Sequence, residues 1–322
     1  RSPVAQLVEG TSDGRTRAVG ALRDRLQGLG VSEILNYTLV SDGLLDRFDA
    51  ENRGSREALP HPISEDQSVL RTSLVPQLVE SMGRNQARQI EEVCFYELGR
   101  VFNRGADALV QEERISIGLM GPVGRDRLAK RAPVEPEEAF VWLKGLVEQL
   151  LAEQGLRAVG FVAADVAPFE AGQAVQVLNG DVRVGWMGLV RSEVREAYRL
   201  GGPVAVAELS LEALLAEAER IDPAEEIPVY PSMGRDLALV VDAGVTHEAV
   251  MEWVAKAKPK DLERVELFDV YTGKGMEKGK KSLAYHFVYR SSKQTLTDKK
   301  VNKAHQQVME LLCRELSATI RN

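Results

Sequence analysis

Val265–Tyr271 reads VELFDVY and Ser282–Arg290 reads SLAYHFVYR. In the second stretch Leu283, Tyr285, Phe287 and Tyr289 alternate with Ser282, His286 and Arg290. A two-residue period with bulky side chains on one phase is that of a strand buried on one side. Working outward, Arg235–Val241 (RDLALVV) is a preceding strand. Thr246 opens a helix to Ala257 through Val250 and Val254, and Thr297 caps a second helix to Leu316 with Val301, Ala304, Val308, Leu311 and Leu312 on one face. Ala318–Arg321 adds a short last strand. The order βαββαβ predicts a ferredoxin-like split βαβ unit. Both helices would cover one sheet face and leave the other open to a ligand.

Upstream, residues 1–220 predict a separate α+β domain. Val19, Leu22, Leu26 and Leu29 recur at helical spacing over Thr16–Leu29, and Gly30 follows as a helix-ending glycine. Strands are expected at Glu33–Leu39, Val93–Phe102, Ile115–Gly121 and Val204–Ser210. Helices are expected beyond Pro76 to Arg84, at Ala139–Gln154 and at Leu211–Arg220. Ala174–Leu178 and Val182–Val190 predict a hairpin, with Asn179-Gly180 as a type I′ turn. The helices are expected on one side of an antiparallel sheet. Residues 221–228 carry prolines and acidic residues and predict a linker to a domain at 229–322.

Composition narrows the function. At 322 residues and 44% hydrophobic, both parts can bury a core. No run of about 18 apolar residues is present, so no membrane-spanning helix is expected. The chain starts at Arg1 without a signal-type segment, which suggests a piece of a longer cytoplasmic protein. Cys94 and Cys313 are far apart in apolar stretches and read as free thiols. The net charge of −7 is uneven: 16 of the 41 basic and 12 of the 48 acidic residues lie in 227–322, a balance of +4 against −11 for the remainder. A polyanion partner would therefore sit on the C-terminal part.

No complete enzyme motif is present. Gly279–Ser282 (GKKS) matches the end of a phosphate-binding loop, but Lys274 stands where its first glycine is required. His61, His247, His286 and His305 are scattered and form no metal or catalytic spacing, so surface or hydrogen-bonded histidines are expected. An RNA surface, by contrast, needs cations for phosphates and a planar side chain on which a base stacks. Lys274, Lys278, Lys280, Lys281, Arg290, Lys293, Lys299, Lys300 and Lys303 supply charge. Asp269 and Tyr271 share one face of their strand, and Ser282, His286 and Arg290 share the face of theirs opposite the apolar phase, so Asp269, Tyr271 and Ser282 are expected to converge, exposed, on the open sheet face. Tyr271 then reads equally as a stacking platform or as an ordinary aromatic at a sheet edge.

Four stretches, RDLALVV (Arg235–Val241), ELFDVY (Glu266–Tyr271), GKKSLA (Gly279–Ala284) and TLTDKKV (Thr295–Val301), closely resemble the ferredoxin-fold anticodon-binding domain that ends the β subunit of bacterial phenylalanine–tRNA ligases. HPISEDQSVLRTSLVPQL (His61–Leu78), FYELGRVF (Phe95–Phe102) and Ala174–Leu211 resemble the catalytic-like core of the same subunit. The resemblance runs in order over nearly the whole chain. It implies a class II synthetase-like antiparallel core without catalytic residues, with Arg71 and Glu97 in contexts similar to class II motifs. It implies assembly of two α and two β chains, the α chain holding the active site and the complex using ATP and Mg²⁺ to charge tRNA(Phe). No cofactor is expected on this chain, whose family's β-chain Mg²⁺ ligands lie upstream of Arg1.

The resemblance further implies that Asp269, Tyr271 and Ser282 contact the first anticodon base, with the Tyr271 ring stacking on it. Lys280, Lys281, His286 and Arg290 are expected to line the same anticodon-binding face. The chain departs from the family at Pro168–Gln173 (PFEAGQ), at Leu189–Arg191 and at Lys299–Lys300, where acidic residues are common. An alternative is a free-standing RNA-binding paralogue without synthetase activity.

Overall fold

The computed structural model describes residues 13–125, 132–216, 227–273 and 275–321. The chain divides into two compact units, Arg1–Asp222 and Pro223–Asn322. The expected linker falls mostly outside the described residues, as do Lys274 and the end of the helix expected to reach Arg220.

In the larger unit α1 (Gly14–Gly28) is capped by the Asp13 carboxylate, which accepts from the Thr16 N–H, and Gly30 follows it at φ +82°. Strands β1 (Ser32–Glu33) and β2 (Leu39–Val40), helix α2 (Asp42–Asp49), strand β3 (Val69–Leu70) and helix α3 (Val75–Gln86) come next. The long strands β4 (Val93–Arg104) and β5 (Leu109–Met120) precede helix α4 (Pro136–Glu153). Strands β6 (Val159–Ala164), β7 (Phe169–Asn179) and β8 (Val182–Val190), helix α5 (Ser192–Ala197), strand β9 (Val204–Ser210) and helix α6 (Leu211–Leu215) complete it. Seven strands form one sheet in the order β1-β4-β5-β9-β8-β7-β6, antiparallel throughout except for the parallel β1–β4 pair.

Parity along β5 shows the layers. Ile115, Ile117 and Leu119 pack with Leu22 and Leu26 of α1 and with Leu143, Val147 and Leu150 of α4. Gly118 points the other way, where an added Cβ would come within 2.6 Å of Met82 and 2.7 Å of Leu78 on α3. That clearance lets α3 lie close to the sheet. A second core there joins α2, α3 and α5 through Leu45, Phe48, Leu78, Met82 and Val194. Helices therefore cover both faces, which corrects the expectation of helices on one side. The apolar phases of β4 and β5 alternate on both sides, and a two-sided strand conceals which side its helices take.

Two local expectations are also corrected. The strand expected over Glu33–Leu39 breaks up. Ser32 and Glu33 pair with β4, Leu39 and Val40 pair with β3, and the Asn36 amide between them bonds Glu97 instead of a ladder. The β7–β8 turn is Gly180-Asp181, because Asn179 pairs with Val182 and uses its side chain to accept from the Ala158 N–H at 3.2 Å. Only Gly180 of that pair has positive φ, +59°, the pattern of a II′ rather than a I′ turn.

The smaller unit runs β10 (Met233–Asp242), α7 (His247–Ala257), β11 (Leu262–Tyr271), β12 (Lys280–Tyr289), α8 (Asp298–Glu315) and β13 (Thr319–Ile320). Its antiparallel sheet has the order β11-β12-β10-β13. Leu237, Leu239 and Val241 of β10 and Leu283, Tyr285, Phe287 and Tyr289 of β12 pack against Val250 and Val254 of α7 and Val301, Val308 and Leu312 of α8. Full burial of such side chains contributes roughly 1.5–3 kcal/mol each. Thr246 caps α7 by accepting from the Ala249 N–H at 3.1 Å. Thr297 stands at the N-cap of α8, but its hydroxyl makes no cap bond, contrary to the sequence expectation.

Candidate nucleic-acid interface

The helices cover one phase of β12, so the opposite phase faces away from the core. Tyr271 pairs directly with Ser282 and Asp269 with Ala284, which puts these residues on the open side. Strict alternation along β11 would forbid this. Val265 and Leu267 share the odd phase with Asp269 and Tyr271, yet they lie opposite Phe287 and Tyr285 and pack against the core. The register shifts between Leu267 and Asp269. This β-bulge inserts Phe268 and inverts the parity, turning Asp269 and Tyr271 from the helix side to the open side.

Pairing continues across the sheet from Ser282 to Val240 and from Ala284 to Ala238. Asp269 is exposed, Tyr271 is half-buried, and Ser282 is only 4% exposed. The three converge, but Ser282 is covered, which corrects the expectation that it is freely accessible. Gly273 lies against the ring: an added Cβ would stand 2.7 Å from Tyr271 Cζ and Oη. The Arg321 guanidinium carbon lies 5.0 Å from the ring centroid. Sequence reasoning singled out neither residue, because neither a turn glycine nor a terminal arginine announces which ring it will meet.

The other expected site residues are dispersed. His286 is on the open face and meets Asp236 of β10 through Nδ1 at 2.5 Å. Lys280 stands at the start of β12 and pairs with Glu277 at 3.1 Å. Lys281 pairs across to Val241, which puts it on the helix side of the sheet. Arg290 follows β12; its Nε donates to Glu263 at 2.8 Å and its NH1 to the Tyr230 carbonyl at 3.4 Å, so its charge is already matched. Lys299, Lys300 and Lys303 are exposed on α8, the helix on the other side of the sheet from Tyr271. The basic run is therefore no single stripe, because the hairpin and the helix that carry it lie on different layers.

Two of the four histidines serve the core. The Tyr289 hydroxyl meets His305 Nδ1 at 3.1 Å, and Tyr285 meets His247 Nδ1 at 3.2 Å. Burial pushes the Tyr285 and Tyr289 hydroxyls up to about 12. Burial, with the nearby Arg235 charge, pushes the His305 imidazole below its usual value of 6.5.

On the larger unit two buried carboxylates of the sheet, Glu97 and Glu208, are each paired with an arginine. Arg71 NH1 donates to Glu97 at 2.6 Å and its Nε to the Arg100 carbonyl at 2.9 Å, while Asn36 Nδ2 donates to the other Glu97 oxygen at 2.7 Å. Gly99 makes room for this, since a Cβ there would stand 2.2 Å from the Arg71 guanidinium. Glu208 accepts from the Leu74 N–H at 2.6 Å, from the Ser73 hydroxyl at 2.9 Å and from Arg114 at 2.7 Å. Among the described residues no group of three or more His, Cys, Asp or Glu side chains is placed to hold a metal ion, and no helix is long and apolar enough to cross a membrane.

Residues 1–211 match the family model described as phenylalanyl tRNA synthetase beta chain CLM domain, and residues 228–321 match the ferredoxin-fold anticodon binding domain. The chain is 34% identical to the phenylalanine–tRNA ligase beta subunit of Bacillus licheniformis over 93% of its length, and 35% identical to that of Bacillus subtilis over 93%. It spans 37% of the length of each of these relatives. The Listeria monocytogenes subunit is 33% identical over 99% of the chain and 39% of the relative. Among solved structures, PylSc of Desulfitobacterium hafniense, a pyrrolysyl tRNA synthetase, superposes with a TM-score of 0.51 at 17% identity, covering 63% of this chain and 66% of that one. That likeness is one of fold alone. On these matches the chain belongs to the phenylalanyl-tRNA synthetase beta-chain family.

Proposed function

We propose that the smaller unit reads the anticodon stem-loop of tRNA(Phe) and that the larger unit is a non-catalytic, class II synthetase-like core, joined to it by a linker at 221–228. In this reading the whole β subunit assembles with an α subunit as two α and two β chains in the cytoplasm. The α chain activates phenylalanine with ATP and Mg²⁺, and this chain contributes binding rather than chemistry. The larger unit's almost wholly antiparallel sheet with one parallel edge strand supports the core assignment. Its paired arginines and carboxylates support a scaffold role, since Arg71 and Arg114 are already engaged by Glu97 and Glu208.

One observation carries the RNA reading: the β11 bulge that turns Asp269 and Tyr271 onto the face holding Ser282. On that face a base can lie on the Tyr271 ring, a contact worth roughly 1–3 kcal/mol. The Asp269 carboxylate accepts from a base N–H and the Ser282 hydroxyl donates or accepts at the base edge. Lys280 and His286 stand within the same sheet face, whereas Lys281 lies on its helix side and Arg290 is held by Glu263.

The test is binding of an anticodon stem-loop RNA hairpin, followed by fluorescence anisotropy, with Tyr271→Ala against the parent chain. Weakening by roughly tenfold or more, with unchanged melting, is expected from the lower half of that stacking range upward. An unchanged affinity overturns the stacking role. Failure of the chain to co-purify with a cognate α subunit overturns the assembly role.

A further inference from the structure

The last strand brings a cation onto the proposed base-reading face. Arg321 donates its backbone N–H to the Ala238 carbonyl at 2.9 Å, which extends the β13 pairing by one residue. Ala238 pairs with Ala284, and Ala284 with Asp269. The neighbouring rung runs from Thr319 through Val240 and Ser282 to Tyr271. Arg321 and Tyr271 thus start from opposite edges of the sheet, and three small residues, Ala238, Ala284 and Ser282, form much of the floor between them. Across that floor the Arg321 guanidinium carbon reaches to 5.0 Å from the Tyr271 ring centroid. Ser282, directly opposite Tyr271, is 4% exposed although it lies on the phase of β12 that the helices do not cover.

We propose that Arg321 occupies the seat a nucleobase takes on Tyr271, and that RNA binding exchanges the guanidinium for the base. The inference rests on the reading of Tyr271 as a stacking platform. A guanidinium is planar, cationic and weakly hydrated, so it lies on an aromatic face as a base does. It shields the ring and Ser282 in the absence of RNA. A base that stacks on Tyr271 and reaches the Ser282 hydroxyl must enter the space this side chain fills. The displaced side chain keeps its charge beside the incoming strand, where it neutralises phosphate.

The exchange sets opposite effects at high and low salt. An exposed cation–π contact corresponds to about a two- to fivefold equilibrium factor, which Arg321→Ala releases. The same substitution removes one cation from the RNA site, which matters only where salt does not screen it. With the 322-residue chain and an anticodon stem-loop hairpin, Arg321→Ala is expected to bind about two- to fivefold tighter than the parent at high salt. Its salt slope should be shallower by about 0.7. In the Tyr271→Ala background the gain should vanish, since no ring remains to uncover.

Unchanged or weaker binding at high salt, or a gain that persists without the Tyr271 ring, overturns the exchange. If Tyr271→Ala weakens binding while Arg321→Ala brings no gain, the exchange falls and the stacking role stands. If Tyr271→Ala alone changes nothing, the stacking role itself falls. The backbone bond to Ala238 does not depend on the side chain, so melting is expected to match the parent. Arg321→Gln, which keeps part of the aliphatic stem and removes the charge, should give a gain of the same sign should Arg321→Ala fold poorly.

Discussion

In the larger unit Arg71 and Glu97 are 4% and 1% exposed, pair at 2.6 Å, and bond further to Asn36, Gln77 and the Arg100 carbonyl. In the smaller unit Asp269 stands exposed on the sheet face opposite α7 and α8, beside a tyrosine whose ring meets the guanidinium of Arg321. The difference is one of commitment. A buried ion pair cannot change partners without leaving a charge in low dielectric, so it holds the surrounding loop and strands in one arrangement. Exposed groups on a sheet lose little when partners change, because water substitutes during the exchange. The first arrangement suits a scaffold and the second a surface that must release one ligand and accept another.

The comparison breaks most visibly at Glu97. Glu97→Ala leaves the Arg71 guanidinium buried and unpaired, and about 3–5 kcal/mol of stability should be lost, read by denaturant unfolding of the chain. A loss below about 1 kcal/mol would show that water reaches the pair and that it is not the fixed element described above.

A smaller effect is expected from acid on the smaller unit. Its inward-facing His305 bonds the Tyr289 hydroxyl, with Arg235 nearby opposing its protonation and Asp236 favouring it. Its folded value lies below the unfolded 6.5, so the unfolded chain binds the extra proton. The stability this represents is complete above about pH 6.5 and declines as pH falls from there toward the folded value. His305→Gln should flatten that decline in a pH series of melting temperatures. An equally steep decline in the variant would assign it elsewhere.

The smallest effect concerns the exposed charge. Lys280→Ala should weaken hairpin binding uniformly across RNA sequences and reduce the salt slope by about 0.7 if one phosphate contact is lost. An unchanged slope would mean that Lys280 serves only its pair with Glu277.

The open-face module was largely legible in the sequence. The alternation in Ser282–Arg290 comes from a strand with one apolar side, and the helical faces around Val250 and Val301 are the surfaces that cover it. The larger unit was less so. Its strands are apolar on both phases, so periodicity did not reveal that α3 lies across the sheet from α4. The role of Asn36 is not legible in sequence because its partner, Glu97, is 61 residues away. The lysine run is contiguous in sequence but not in space. Lys280 and Lys300 are separated by a strand and a turn that carry them to opposite layers.

By itself the sequence determined the βαββαβ order, the core side of β12 and the excess of basic residues in 227–322, because these depend on local period and composition. Only the tertiary structure decided which way Asp269 and Tyr271 point. Their phase is that of the half-buried, core-packed Val265 and Leu267, and one inserted residue, Phe268, reverses it. It also decided what lies on the Tyr271 ring, because β13 pairs with β10, and that pairing sends Arg321 across the sheet to a residue fifty positions earlier in the chain. A bulge and a strand register are set by the fit of neighbouring strands, which no single strand's pattern records.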